Sequence, residues 1–130
     1  MKISVQRPDG CEKVHIKFPD IVVCNTRQVI GVVELKYQPR ARPTWRKDIG
    51  TYDWIERHRD KISVSNVRFQ GVEADKHRYA LAKDVLFVWA GVHAPWPHQI
   101  ADENEVSPRF RDSFLELHAE TYDGSEPTVR

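Results

Sequence analysis

Residues 18–37 read FPDIVVCNTRQVIGVVELKY: two apolar runs joined by a polar turn, with Pro19 and Asp20 opening the first and Glu34 and Lys36 closing the second. Side chains alternate between the two faces of a strand. Val14, Ile16, Phe18, Asp20 and Val22 therefore share one face of the first strand, and Ile30, Val32, Glu34 and Lys36 one face of the second. With Asn25 to Val29 as the connection, Cys24 pairs with Ile30, Val22 with Val32, and Asp20 falls opposite Glu34. A slip of one residue would send the two carboxylates to opposite faces. This register sets like charges directly across a ladder, which is costly unless a cation lies between them. The other faces carry Ile21, Val23, Val33 and Leu35, so both strands read as central and covered on both sides.

A chain of 130 residues suits one domain with one core, expected over 1–122, with 123–130 as a disordered C-terminal tail. There is no repeat and no apolar run of transmembrane length, and MKISVQRPDG lacks the apolar centre of a signal peptide. The expectation is a cytoplasmic protein with no membrane partner. Cys11 and Cys24 read as reduced thiols. Together with His15 they could touch a metal, but the paired spacing of a zinc site is missing.

The net charge of +1 hides an asymmetry: residues 1–100 hold 17 Lys and Arg against 11 Asp and Glu, and residues 101–130 hold 3 against 8. The densest basic run, QPRARPTWRK, contributes Arg40, Arg42, Arg46 and Lys47 without an acid among them and follows directly on Lys36. Alone, such a run reads as a solvated loop. Beside the carboxylates it points to a polyanion such as nucleic-acid phosphate.

In chain order, Lys2 to Gln6 reads as a strand, and Pro8-Asp9-Gly10 turns the chain back into one long strand from Lys13 to Cys24. Pro39 and Pro43 make 38–44 a loop, and Thr44 can cap a helix over 45–59 whose inner face holds Ile49, Tyr52 and Ile55 or Glu56. Ile62 and Val64 alternate weakly, and Val72 to Ala82 reads as helix or loop. VLFVWAGV, 85–92, is a buried strand ended by Pro95 and Pro97. Ser107-Pro108 starts a helix to about Glu120, with Phe110, Phe114 and Leu117 on one face. The layout is α/β, a mixed sheet flanked by helices.

Pro19-Asp20, then 13 residues, then Glu34-Leu35-Lys36 at the end of a Val-rich strand resembles the PD-(D/E)xK nuclease superfamily. That resemblance implies a restriction-endonuclease-like fold, a mixed central sheet of about four strands flanked by helices, with the Asp on the second core strand and the ExK on the third. It covers residues 2–92 in element order and five residues in identity. The family's opening helix before the first strand has no counterpart here, so the Ser107 helix or a partner subunit would have to fill its place, or the chain is a reduced member. The implied activity is a metal-dependent endonuclease acting on DNA, with Asp20, Glu34 and Lys36 catalytic. Mg²⁺ or Mn²⁺ would be held by Asp20, Glu34 and the Leu35 backbone carbonyl.

Hydrolysis of a phosphodiester needs an activated water and neutralisation of charge on the phosphoryl oxygens, and paired carboxylates beside a lysine supply the residue types for both. Arg40, Arg42, Arg46 and Lys47 would grip flanking phosphates. The alternative is a nuclease-fold protein without turnover, serving as a nucleic-acid-binding or assembly subunit, as a homodimer or with a partner chain. A coincidental carboxylate pair is the third possibility. The remaining polar and aromatic residues have plainer readings. Trp45 could stack on a sugar or base, with filling the core as its plainer role. Asp48 and Tyr52 stand on the helix after the ExK strand, where the resemblance implies accessory polar residues, with packing and solvent contact as their plainer roles. His15, His58 and His77 read as solvated, and His93 and His98, spaced as a ligand pair could be, fit better a rigid surface loop at Pro95-Trp96-Pro97.

Overall fold

The computed structural model describes residues 2–6, 9–17, 19–67, 76–102, 106–122 and 128–130. Among the described residues eight strands form one hydrogen-bonded network: β1 (Lys2–Gln6), β2 (Glu12–Ile16), β3 (Ile21–Cys24), β4 (Gln28–Gln38), β5 (Ile62–Val67), β6 (Lys76–His93), β7 (Phe114–Glu120) and β8 (Thr128–Val129). Their order is β2-β1-β5-β6-β4-β3, with β7 on β6 and β8 on β7. Among the described residues there is one α-helix, α1 (Arg46–Arg57). The chain is thus of the α/β class with a mixed sheet. No helix of the described residues is long and apolar enough to cross a membrane.

β6 is the axis of the fold. Its N-terminal part runs antiparallel to β5, and its C-terminal part runs parallel to both β4 and β7. Between the two parts the β4 ladder jumps from Val29↔Leu81 to Gly31↔Leu86. The ladder carbonyls freed there are not left bare: the Arg59 guanidinium, paired with Glu56 at 2.6 Å, donates to the Ala82 and Lys83 carbonyls at 2.6 and 3.0 Å.

Several sequence expectations change in the folded chain. The long strand expected over 13–24 is two strands, β2 on β1 and β3 on β4, separated at 17–20, where Pro19 cannot donate to a ladder. The turn between β1 and β2 is as expected, with Gly10 at φ +83°. Phe18 lies outside the described residues. The helix expected from Ser107 is instead a turn, a 3-10 segment at Arg111–Ser113 and strand β7. Phe114, Glu116 and His118 point inward while Leu115 and Leu117 point outward, a period of two that parallel pairing with β6 enforces over local helix preference. Of the stretch 72–82, left open as helix or loop, residues 76–82 belong to β6 and 72–75 lie outside the described residues. Within the tail expected to be disordered, Thr128–Val129 pairs with Ala119 and Glu120, and 123–127 lie outside the described residues.

The helix over 45–59 forms with tighter bounds, and its buried Ile49, Tyr52 and Ile55 cover one face of the sheet. Thr44 does not cap it: its backbone N–H and its hydroxyl both donate to Gln38 Oε1. On the sheet side lie Val32, Phe87 and Phe114, adjacent in one ladder row, with Phe110 edge-on to Phe87 and Tyr52. The opposite face is not covered as the alternation suggested: Ile21, Val23 and Leu35 are about half exposed and no described helix lies over them.

Gly91 shows how tightly the covered face is filled. A Cβ there would come within 2.4 Å of Trp89 Cη2, so the fully buried indole lies across a position that only glycine leaves open. Gly91→Ala is therefore expected to destabilise the fold by about 1–3 kcal/mol, as forced overpacking does. Urea unfolding, with the near-ultraviolet signal of displaced Trp89, measures it.

Candidate functional site

Beyond the apolar row Val32, Phe87, Phe114, the covered face turns polar toward the C-terminal ends of the parallel strands. The next rows are Glu34–Trp89–Glu116, Lys36–Gly91–His118 and Gln38–His93–Glu120. Because α1 ends its apolar contact at Ile49 and begins one turn earlier, its first turn brings Asp48 over these rows.

The hairpin register survives with one adjustment. Val22 faces Val32 as expected, but Cys24 pairs with Val29 rather than Ile30, because a bulge at Ile30 takes up one residue. The paired ladder ends at Ile21↔Val33, so Asp20 sits in the bend before β3 rather than in the strand. Its Oδ2 accepts the Leu35 N–H at 2.6 Å, which carries the strand pairing one step further through a side chain. Asp20, Glu34, Leu35 and Lys36 border one cleft of about 420 Å³, closed by Pro19, Lys17, Lys47, Asp48 and Thr51.

The electrostatics follow from that convergence. Burial, then the negative charges of Asp48 and Asp20 and a hydrogen bond shared with Asp20, push the Glu34 carboxyl up to about 7, partly offset by Lys36. Asp48, 5 % exposed, accepts the Trp89 indole N–H at 3.2 Å and the Lys36 ammonium at 3.3 Å. A buried carboxylate requires such partners. Trp89 and Lys36 thereby fix the helix start against β4 and β6. One turn further, the Tyr52 hydroxyl donates to the Val88 carbonyl at 2.5 Å, and burial pushes its phenol well up.

A second cleft of about 520 Å³ continues from the first, sharing Lys36, Lys47 and Asp48, and is walled by Thr44, Trp45, Arg46 and Trp96. Of the basic run, Lys47 borders both clefts and Arg46 the second, its guanidinium 5.7 Å from the Trp45 ring. Arg40 and Arg42 are exposed in the loop after β4 and border neither. Trp45 is buried, as its plain reading held.

Two residues of the first cleft, Lys17 and Thr51, were not singled out from the sequence, and a third, Asp48, was weighed as an accessory polar residue but read as serving packing and solvent contact. Lys17 arrives through the break at Pro19 and sits 5.1 Å over the Trp54 ring. Asp48 and Thr51 lie one helical turn apart on α1, three residues being one face of a helix, and that spacing was the available signal. Among the described residues, no group of three or more His, Cys, Asp and Glu side chains is arranged to hold a metal ion. The third acid of the cleft, Asp48, is already engaged by Lys36 and Trp89.

His93, read as part of a surface loop, is instead buried at the end of β6. Its Nδ1 faces the Ala94 carbonyl at 2.6 Å and its Nε2 faces His118 Nδ1 at 2.7 Å, while His118 Nε2 meets Glu116 Oε1 at 2.7 Å. A carbonyl only accepts, so His93 donates through Nδ1 and accepts through Nε2, and His118 donates through Nδ1. One proton then lies between His118 and Glu116. Burial raises the Glu116 carboxyl, but the His118 contact and the Ala101 and Ile100 N–H groups outweigh it and hold it low. Glu116 thereby anchors the 3-10 turn Ile100–Asp102. His98 is exposed, as expected, and His58 is half-buried, with Nδ1 2.8 Å from the Trp54 carbonyl.

Compared with protein-family models, with curated proteins and with solved structures, the chain matches none.

The raised Glu34 carboxyl gives a pH dependence with a definite sign. The folded state keeps this proton to about pH 7, whereas the unfolded chain releases it near the ordinary glutamate value of 4.5. The folded state therefore binds more protons between these values, and Glu34 makes stability fall as pH rises through that window. Glu34→Gln is expected to raise the unfolding midpoint at pH 8 and to leave it unchanged near pH 4, as read by thermal denaturation across pH in metal-free buffer.

Proposed function

We propose that the cleft between β3, β4 and the start of α1 is the centre of a metal-dependent nuclease that hydrolyses phosphodiester bonds in DNA. The observation that carries this reading is the convergence of Asp20, Glu34 and Lys36 on one cleft, with the Glu34 carboxyl pushed toward neutrality by its acidic neighbours. A strongly perturbed acid in a cleft beside a lysine is the pattern expected of a functional site. Support also comes from the layout, in which the PD and ExK residues stand at the far end of the β3–β4 hairpin and the ExK strand lies inside a mixed sheet, parallel to β6. A mixed central sheet holding the ExK strand is what the resemblance to restriction-endonuclease-like proteins implies.

The donor set fits a hard cation. Asp20, Glu34 and the Leu35 carbonyl offer oxygen only, and Mg²⁺ is commonly held by one or two carboxylates with water completing its shell. A bound cation would supply Lewis acidity toward the phosphoryl group and a more acidic water. The protein's own part lies in orientation and charge. Glu34 gives up its proton when it becomes a ligand, so ligation is favoured as pH rises toward 7. Lys36, held by Asp48, offers its ammonium to charge developing on the phosphoryl oxygens. Arg46 and Lys47, along the adjoining cleft, would hold phosphates of the same strand, and Arg40 and Arg42 would contribute charge at longer range.

A nuclease-fold protein without turnover, acting as a nucleic-acid-binding or assembly subunit, is the second reading. The exposed apolar side chains Leu35, Tyr37 and Leu117 on one face of the sheet favour it. Both readings are separated by one assay: with Mg²⁺ or Mn²⁺ the purified protein is expected to nick or degrade DNA, with a rate that rises with pH to about 7 and then levels. Glu34→Ala and Lys36→Ala are each expected to lower that rate by about 10² or more without unfolding the chain. Equal cleavage by both variants would remove the assignment, and DNA binding without cleavage would select the second reading.

A further inference from the structure

The two clefts meet at Lys36, Lys47 and Asp48, and the second, of about 520 Å³, has walls that the cation site does not use, Trp45, Arg46 and Trp96 among them. Its size is that of a ligand cleft, for which about 300–1,000 Å³ is usual. Lys36, Arg46 and Lys47 line it against one acid, Asp48, whose carboxylate already meets Lys36 and Trp89. The cleft is therefore electropositive and attracts anions. Cations beside an exposed ring surface are the combination that holds a nucleic-acid strand, phosphate on the one and a base on the other.

That ring belongs to Trp96. Trp45 is 7 % exposed, so its indole is spent on the core and on the Arg46 guanidinium 5.7 Å away. Trp96 is half-buried in the loop after β6, between Pro95 and Pro97. Its indole leans on the His118 ring at 5.9 Å and 34°, meets His93 and His98 edge-on at 6.4 and 5.6 Å, and walls the cleft with the rest of its surface. The backbone here is pinned: the Arg130 guanidinium donates to the Trp96 and His98 carbonyls and pairs with Glu120 at 2.7 Å. Flanking prolines and these bonds set the ring in place before any ligand arrives, which lowers the cost of ordering it on binding.

We propose that the second cleft takes an unpaired nucleotide of the DNA strand whose phosphodiester lies in the first, its base stacked on Trp96 and its phosphate on Arg46 and Lys47. The inference rests on the nuclease reading and names its substrate class. Within a duplex both faces of a base are covered by its neighbours, so a base reaches an indole only when it is single-stranded or flipped out, and flipping costs stacking and pairing. Lys36 and Lys47 border both clefts, so one strand passes from the first to the second along the same cations. The substrate is accordingly DNA with unpaired nucleotides beside the bond that is cut, as in a single strand, a flap or an overhang, rather than continuous duplex. Stacking tolerates any base, so the site selects unpaired strand and not a base sequence.

Fluorescence anisotropy of labelled oligonucleotides in EDTA, which suppresses cation-dependent cutting, reads the binding alone. A thymidine strand of about ten nucleotides is expected to bind about tenfold tighter than a duplex of the same length, the scale of one stacked base. Trp96→Ala is expected to erase most of that preference, and Trp96→Phe, which keeps an aromatic face, to retain most of it. A purely structural role for Trp96 would instead weaken strand and duplex alike. Far-ultraviolet circular dichroism verifies the fold, and if Trp96→Ala unfolds, Trp96→Phe against Trp96→Leu decides. Equal affinity of the wild-type chain for strand and duplex overturns the inference, as does a preference that the loss of the ring leaves intact. A uridine strand bound as tightly as the thymidine strand supports the stacking site and extends it to RNA. Cleavage with Mn²⁺ separates this inference from the reading beneath it. Glu34-dependent cutting of strand and duplex at equal rates keeps the nuclease and overturns the inference, whereas Trp96-dependent strand binding without any cutting removes the nuclease and keeps the nucleotide site.

Discussion

The buried carboxylate of Asp48 is the contact on which the polar end of the molecule depends. It takes one hydrogen bond from the Trp89 indole and one ion pair from Lys36, and these come from β6 and β4 respectively. A charge removed from water is tolerable only when its oxygens are occupied, so helix, central strand and ExK strand must meet in one arrangement. Trp89 can reach Asp48 because Gly91 leaves room for its ring. The small residue, the large ring and the acid are therefore one device, and Lys36 is aimed by it.

The polar groups gather where the parallel strands β4, β6 and β7 end, a place where α/β sheets commonly bind ligands. Two chemically different clusters share this end. On the β4 side, Asp20, Glu34 and Lys36 border open clefts. On the β7 side, the His93–His118–Glu116 chain is closed off from solvent, with each ring nitrogen facing a partner and Glu116 also holding two backbone N–H groups. A satisfied buried network of this kind rigidifies the sheet end. The loop through Trp96, which walls the second cleft, is held from the same side by Arg130, whose guanidinium donates to the Trp96 and His98 carbonyls and pairs with Glu120.

Much of the candidate site was legible in the residues. Alternation in IVVC and QVIGVVELKY, with a turn at Asn25, sufficed to set Val22 against Val32 and to put Glu34 and Lys36 on one face. The bulge at Ile30 could not be read, since a chain segment carries no local mark of where a ladder absorbs an extra residue. The same limit hid the split of the first strand: Pro19 was visible, but that β2 and β3 pair with different neighbours is settled by β1 and β4. His93 was misread because two nearby prolines suggested surface, whereas its burial depends on His118 arriving from a strand that local signals presented as a helix.

The sequence by itself determined the α/β class, the central hairpin, the helix that follows it, the apolar strand through Trp89, and the grouping of Asp20, Glu34 and Lys36. Each of these rests on periodicity, turn residues or short-range register, which neighbouring residues encode. Only the tertiary structure decided that β6 would join two ladders, that 114–120 would be a strand, that Asp48 would hold Lys36, and that Leu35, Tyr37 and Leu117 on one face of the sheet would stay exposed. Those outcomes depend on which segment lies beside which, and a parallel pairing such as β6 with β7 is made by residues far apart in the chain whose local preferences do not announce each other.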